Sequence, residues 1–167
     1  MRRAALYIGA AAVLAVAWGV RTWAERDLTG DGRDVGLLQL RLTYNPGAAF
    51  SLGAEHPTLV LIITSVLCLA IAIAGWWAAA HRPGLQLAGM ASILGGALAN
   101  LTDRLGDGVV TDYFHSGWWP TFNLPDVTIV IGALLLMLAE IRRPADSRQT
   151  PAATTAPATD PGSPSGA

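Results

Sequence analysis

The sequence predicts an all-α membrane protein with four spanning helices, and three observations carry that prediction. Of its 167 residues, 52% are hydrophobic and only 14% are charged. The mean hydropathy is +0.42, which is greasier than an ordinary soluble domain. Four stretches approach the roughly 20 apolar residues that a helix needs to cross a hydrocarbon core of about 30 Å. The basic residues alternate with those stretches as the positive-inside rule requires.

The spans are expected at 4–23 (AALYIGAAAVLAVAWGVRTW), 58–80 (TLVLIITSVLCLAIAIAGWWAAA), 84–102 (GLQLAGMASILGGALANLT) and 124–141 (LPDVTIVIGALLLMLAEI). Arg2 and Arg3 precede the first, His81 and Arg82 separate the second from the third, and Arg142, Arg143 and Arg148 follow the fourth. The loop 24–57 holds three Arg against five acids, and 103–123 holds one Arg against three Asp. Both loops therefore belong outside, with both termini in the cytoplasm. The small triplet Ala15-Val16-Ala17 behind Arg2-Arg3 would also fit a cleavable signal peptide. Apolar character continuing to Trp23 favours an anchor instead.

Residues 1–143 thus form one membrane domain. Residues 144–167, rich in Pro, Ala, Thr and Ser, read as a disordered cytoplasmic tail. In the first outer loop, Leu38-Gln39-Leu40-Arg41-Leu42-Thr43 alternates as a half-exposed strand does, and Asn45-Pro46-Gly47 reads as a turn. The chain has no Lys and a net charge of −1, which sets nucleic acid aside as a partner. The single cysteine, Cys68, excludes a disulfide framework or a CxxC site and reads as a small buried hydrophobe.

The chemistry is expected from acids at the outer membrane level. Asp126 opens the fourth span, where it could cap the helix or act as an intramembrane functional group. Asp112 stands 14 positions earlier, across a segment containing Gly117, Pro120 and aromatics, the composition of a reversal that could bring the two acids together. Tyr113, Trp118 and Trp119 fit an interfacial aromatic belt. Two carboxylates close together in a low dielectric share a proton. In that state one activates a water and the other polarises a carbonyl, as an aspartyl protease requires. No Lys or Arg occurs between Arg104 and Arg142, as expected if a nearby Arg would hold both acids ionised. Asn100, Asp103 and Arg104 share one helix face, as a simple Asp–Arg helix end would or as part of the site. Asn45 and Asn123 read equally as turn residues. No His or further acid recurs at ligand spacing around the pair, so a divalent metal is disfavoured.

At these residues the chain resembles the lipoprotein signal peptidases, signal peptidase II, the membrane aspartyl proteases of bacteria. The resemblance rests on NPGAAFSLG (45–53), GGALANLTDRLGDGVVTDY (95–113) and FNLPDVTIVIG (122–132). It implies that Asp112 and Asp126 are the catalytic dyad. Asn45, Asn100, Asp103, Arg104 and Asn123 would support the dyad or contact substrate and inhibitor.

The activity implied is removal of the signal peptide from a diacylglyceryl-modified prolipoprotein before its lipid-bearing cysteine. It would proceed without metal or other cofactor in the bacterial cytoplasmic membrane, near the outer face, and be sensitive to globomycin-like peptides. The resemblance also implies a small extracytoplasmic β-cradle over about 36–52 and a short amphipathic outer helix over about 113–121. The register departs from the family's usual residues at Ala17, Arg21, Ala99 and Pro125, and Pro125 suits a first helical turn. Two other readings are a non-catalytic relative that binds precursors or globomycin-like peptides, and a small proton or ion transporter. The second is disfavoured because the middle of each span lacks ionisable groups.

Overall fold

The computed structural model describes residues 1–30, 32–47, 55–82 and 84–142. The expected tail, and the part of the first outer loop beyond residue 47 up to residue 54, fall outside these residues.

Four long helices form: α1 (Arg2–Asp27), α2 (Pro57–Ala79), α3 (Gly84–Asp107) and α4 (Leu124–Ile141). All four are long and apolar enough to cross a membrane. The shortest has 18 residues, which at 1.5 Å per residue is about 27 Å, close to a hydrocarbon thickness. α1 and α3 run past their expected ends, so Asp103 and Arg104 are within the last turns of α3 together with Asn100 one turn before, on the helix as expected.

α3 is the central helix, with 44% of its apolar window buried against 17% for each of the others. It is also the least apolar span, because its packing depends on small residues. A bilayer supplies little hydrophobic force between helices, so association relies on close contact. A Cβ placed on Gly95 would fall 2.6 Å from the Ala10 carbonyl of α1. One on Gly132 of α4 would fall 2.6 Å from the Gly89 carbonyl of α3. These glycines let α1 and α4 approach α3 at backbone distance. Leu59, Ile63, Val66 and Leu69 of α2, and Leu134 and Met137 of α4, remain exposed on the outer surface of the bundle.

One end of the bundle carries a three-stranded antiparallel sheet in the order β1 (Arg33–Asp34), β2 (Gln39–Asn45), β3 (Val110–His115). β2 is the alternating stretch. Its Leu40 and Leu42 pack with Phe114 and Leu124 on a cluster of Ala24, Leu28 and Tyr113. The register shifts between Leu40 and Thr43, after which Thr43 stands opposite Asp112 and Asn45 opposite Val110. The cradle is therefore completed by the segment that bears Asp112, not by the first loop alone.

The amphipathic outer helix expected over 113–121 does not form. Residues 113–115 belong to β3, and the chain then bends through Gly117, whose φ of 84° suits glycine. It returns so that Phe122 bridges Phe114. Backbone partners on both sides of β3 leave no room for helical bonding there. Tyr113 is not part of an interfacial belt either, since it is 1% exposed. Trp118 and Trp119 are exposed on the bend.

Candidate active site

Asp112 and Asp126 come together through an asparagine. Asn123 is the N-cap of α4, and its Oδ1 accepts the Asp126 N–H at 3.0 Å. In return the Asp126 Oδ2 accepts the Asn123 N–H at 3.1 Å, which closes a capping box. The Asn123 amide nitrogen then donates to Asp112 Oδ1 at 3.0 Å and to Asn100 Oδ1 at 3.1 Å. It also lies 3.5 Å from the Thr111 carbonyl, a weak third contact for a group with two protons. Asp126 thus sits in the first turn of α4, as expected, but the cap itself is Asn123.

The remaining donors come from three other elements. Asn100 of α3 donates to Asp126 Oδ1 at 2.9 Å. Asn45, at the end of β2, donates to Asp112 Oδ2 at 3.3 Å while its own Oδ1 accepts the Gly47 N–H at 2.9 Å. Asn45 is therefore both a turn residue and a neighbour of Asp112. Each oxygen of the two carboxylates accepts one amide N–H, and every one of those donors is neutral.

Arg104 corrects the expectation that the acids lack a basic neighbour. It follows Asn100 by four residues on α3, so it reaches the same space although it stands just before the stretch that lacks Lys and Arg, and it was expected there only through the family resemblance. Its Nη2 donates to the Gly47 carbonyl at 2.6 Å, and its Nε has no hydrogen-bond partner among the described residues. Among those residues it makes no ion pair with either acid, yet its charge does act on Asp112.

Asp112 is 2% exposed, and its pKa is pushed up to about 7. Burial is the main cause and the charge of Asp126 adds to it; the Asn45 hydrogen bond and Arg104 oppose the shift. On the same strand, burial pushes the Tyr113 phenol up to about 12, so it stays protonated. Its oxygen accepts the Leu124 N–H at 3.0 Å, one of the first amides of α4.

Asp103 is one turn from Asn100 but makes its contacts elsewhere than at Asp112 and Asp126. Its Oδ2 accepts the Thr111 N–H at 2.8 Å, and its Oδ1 lies 2.7 Å from Arg21 Nε. The Asp–Arg pair is thus formed with Arg21 of α1 rather than with Arg104. Sequence reasoning noted Arg21 only as a departure, but an Arg inside an apolar span is a signal that an acid partner must be near.

Both aspartates open onto a cleft of about 490 Å³. Asn45, Asn100 and Arg104 share its polar end, whereas Leu67, Cys68 and Ile71 of α2, Ile93 of α3 and Ile129 and Val130 of α4 form apolar walls. Trp119 and Phe122 also border it. The arrangement can hold an apolar segment with one polar group against the two carboxylates.

The sequence model described as signal peptidase (SPase) II matches residues 9–142. The chain is 35% identical over 153 residues to the lipoprotein signal peptidase of Rhodococcus jostii (strain RHA1), an alignment covering 82% of this chain and 72% of that protein. It is 43% identical over 115 residues to the lipoprotein signal peptidase of Azoarcus sp. (strain BH72), covering 64% of each. A solved structure described as "Bacterial membrane enzyme structure by the in meso method at 2.3 A resolution" superposes with a TM-score of 0.74. That superposition covers 89% of this chain and 94% of the other at 21% identity. A second, described in the same words at 1.9 A resolution, gives 0.71 over 82% and 92% at 23% identity. At those identities the solved structures establish the shared fold.

Proposed function

The chain belongs to the signal peptidase II family, and on that premise we propose that it is an aspartic endopeptidase of the cytoplasmic membrane which removes the signal peptide from diacylglyceryl-modified prolipoproteins before the lipidated cysteine. The observation that carries the aspartic mechanism is the pair Asp112 and Asp126, bridged by Asn123 at the polar end of an apolar cleft.

In this reading Asp112 holds the shared proton near neutral pH, consistent with its raised pKa. Asp126 is the ionised partner, in the first turn of a helix whose dipole favours negative charge. Asp126 accepts a proton from water as the water oxygen bonds to the scissile carbonyl carbon. Asp112 gives its proton to the carbonyl oxygen. Collapse of the tetrahedral species breaks the C–N bond as one hydroxyl proton returns to Asp112 and the proton on Asp126 passes to the leaving amine, which restores the dyad. No cofactor enters this chemistry. Asn45, Asn100 and Asn123 orient the carboxylates, and Arg104 holds the turn at Gly47 against the site.

The signal helix would lie along the apolar walls of the cleft with the diacyl chains left in lipid. A globomycin-like cyclic peptide would compete for the same space. Both termini are assigned to the cytoplasm. Arg2 donates to the Arg82 carbonyl at 3.5 Å and Arg3 to the Trp76 carbonyl at 3.1 Å, which supports a basic inner end opposite the dyad.

Asp112→Asn or Asp126→Asn is expected to lower cleavage of a lipid-modified precursor by at least about 100-fold, with folded protein retained in the membrane. Full activity in either variant would remove the dyad. A shorter product also separates this reading from a precursor-binding relative or a transporter, neither of which cuts.

A further inference from the structure

Among the described residues no α1 side chain lines the cleft, yet α1 is tied to the strand that carries Asp112. Arg21 Nε lies 2.7 Å from Asp103 Oδ1 and donates to Thr111 Oγ1 at 3.3 Å. At that distance the Arg21 charge acts directly on Asp103 Oδ1 while its Nε proton is directed at the threonine. Asp103 Oδ2 meanwhile accepts the Thr111 N–H at 2.8 Å. Thr111, 1% exposed, is therefore gripped through its backbone and its side chain by one ion pair, immediately before Asp112.

The guanidinium is itself fixed on its other sides. Nη2 lies 2.9 Å from Glu25 and 3.7 Å from Asp107. The guanidinium carbon is 5.4 Å from the centre of the Trp18 ring, and Trp18 in turn donates to Thr102 of α3 at 3.0 Å. Ala17 is buried just beneath, so the anions that neutralise Arg21 come from later in α1 and from the end of α3.

From these contacts we propose that Arg21 is a positioning residue of the peptidase, which acts through Asp103 and Thr111 to set the place of Asp112 relative to Asp126. A largely buried ion pair contributes little net stability, because desolvation offsets the attraction. Its effect here is geometric: α1 and α3 together fix residue 111, and the Asp112 carboxylate then meets Asn123 and Asn45. Reacting groups misplaced by about 1 Å can lose about 100-fold in rate. The inference rests on the proposed dyad.

The test uses the full chain in lipid bicelles with a lipid-modified precursor. Arg21→Met is expected to lower kcat by between about 10- and 100-fold with KM nearly unchanged, and Arg21→Lys to stay within about threefold of the parent. Asp103→Asn should resemble Arg21→Met, and the double variant should be no slower than the slower single one. Arg26→Met, an exposed change on the same helix, should leave kcat unaltered.

A normal kcat in Arg21→Met overturns the proposal. So does a loss that only matches the fall in folded protein, or a double variant whose losses multiply. Should Arg21→Met not fold, Thr111→Val decides: a kcat loss of more than about threefold at unchanged melting temperature supports the positioning role, and a normal kcat refutes it. The two readings fail separately. An active Asp112→Asn removes the dyad whatever Arg21 does, whereas an inactive Asp112→Asn beside a normal Arg21→Met removes only the positioning role.

Discussion

The proton on Asp112 should be movable from Asn45. The Asn45 amide donates to Asp112 Oδ2 at 3.3 Å, and a donated hydrogen bond favours the ionised carboxylate. Removing it makes the proton harder to lose, so Asn45→Ala should shift the falling limb of activity to higher pH. An amide bond to a carboxylate contributes about 1.5–3 kcal/mol at good geometry, and this one is longer than the usual charge-assisted distance, so about 1 kcal/mol is appropriate. At 1.36 kcal/mol per pH unit that is about 0.7 unit, which carries the limb upward from about 7.

Asn45→Ala also removes the acceptor for the Gly47 N–H. Asn45→Asp keeps that acceptor while adding a negative charge, and should shift the limb further in the same direction. The measurement is kcat/KM for precursor cleavage between about pH 5 and 9.5, since that ratio reports groups of the free enzyme. A limb that stays in place, or that moves to lower pH in either variant, would refute the assignment of the proton to Asp112.

The same shift has a cost for folding. Asp112 rises from 3.8 to about 7, so between those values the folded chain binds more protons than the unfolded one. Its stability therefore falls as pH rises through that window, by on the order of 4 kcal/mol. Asp112→Asn should consequently melt above the parent at pH 8, with the gap closing toward pH 4; a gap independent of pH would contradict this. Gly132→Ala would place a Cβ 2.6 Å from the Gly89 carbonyl and should cost about 1–3 kcal/mol through forced separation of α3 and α4. A thermal transition in detergent unchanged from the parent, and equal to that of Gly19→Ala, where nothing lies within 4 Å, would dispose of that packing argument.

The spans were legible because hydropathy is a sum over many residues and tolerates local error. β2 was legible for a related reason, since Leu40 and Leu42 face the core while Gln39 and Arg41 face outward. β3 was not. Its first four residues, Val110 to Tyr113, are all buried, so no alternation marks it, and its pairing partner lies more than 60 positions earlier. The outer helix failed for a similar reason: an aromatic-rich stretch with a glycine gives no periodic signal, and the bridge from Phe114 to Phe122 decides its shape from outside the stretch.

At the site, the acids, the asparagines and Arg104 were named from the sequence, but the reading of the acids as lacking a basic neighbour failed, because distance along the chain was used as a measure of distance in space. Arg104 and Arg21 show the two ways in which that measure fails. Arg104 is four residues from Asn100, and one helical turn places its field on Asp112 without an ion pair. Arg21 is more than 80 residues from Asp103, and packing of α1 on α3 brings them into contact.

The outcome has a chemical logic that neither residue reveals alone. A guanidinium paired directly with Asp112 or Asp126 would favour two ionised carboxylates and remove the shared proton. Here the contacts to both acids are made by neutral amides, from Asn45, Asn100 and Asn123 and from the Asn123 backbone. Neutral donors fix orientation while leaving burial and the partner's charge as the main determinants of Asp112 protonation. The charges that hold the scaffold stand one step back, with Arg104 on the Gly47 carbonyl and Arg21 on Asp103. That separation of holding from tuning predicts different signatures for the two groups of residues. Changes to the asparagines should move the pH profile, whereas changes to Arg21 should lower kcat across it.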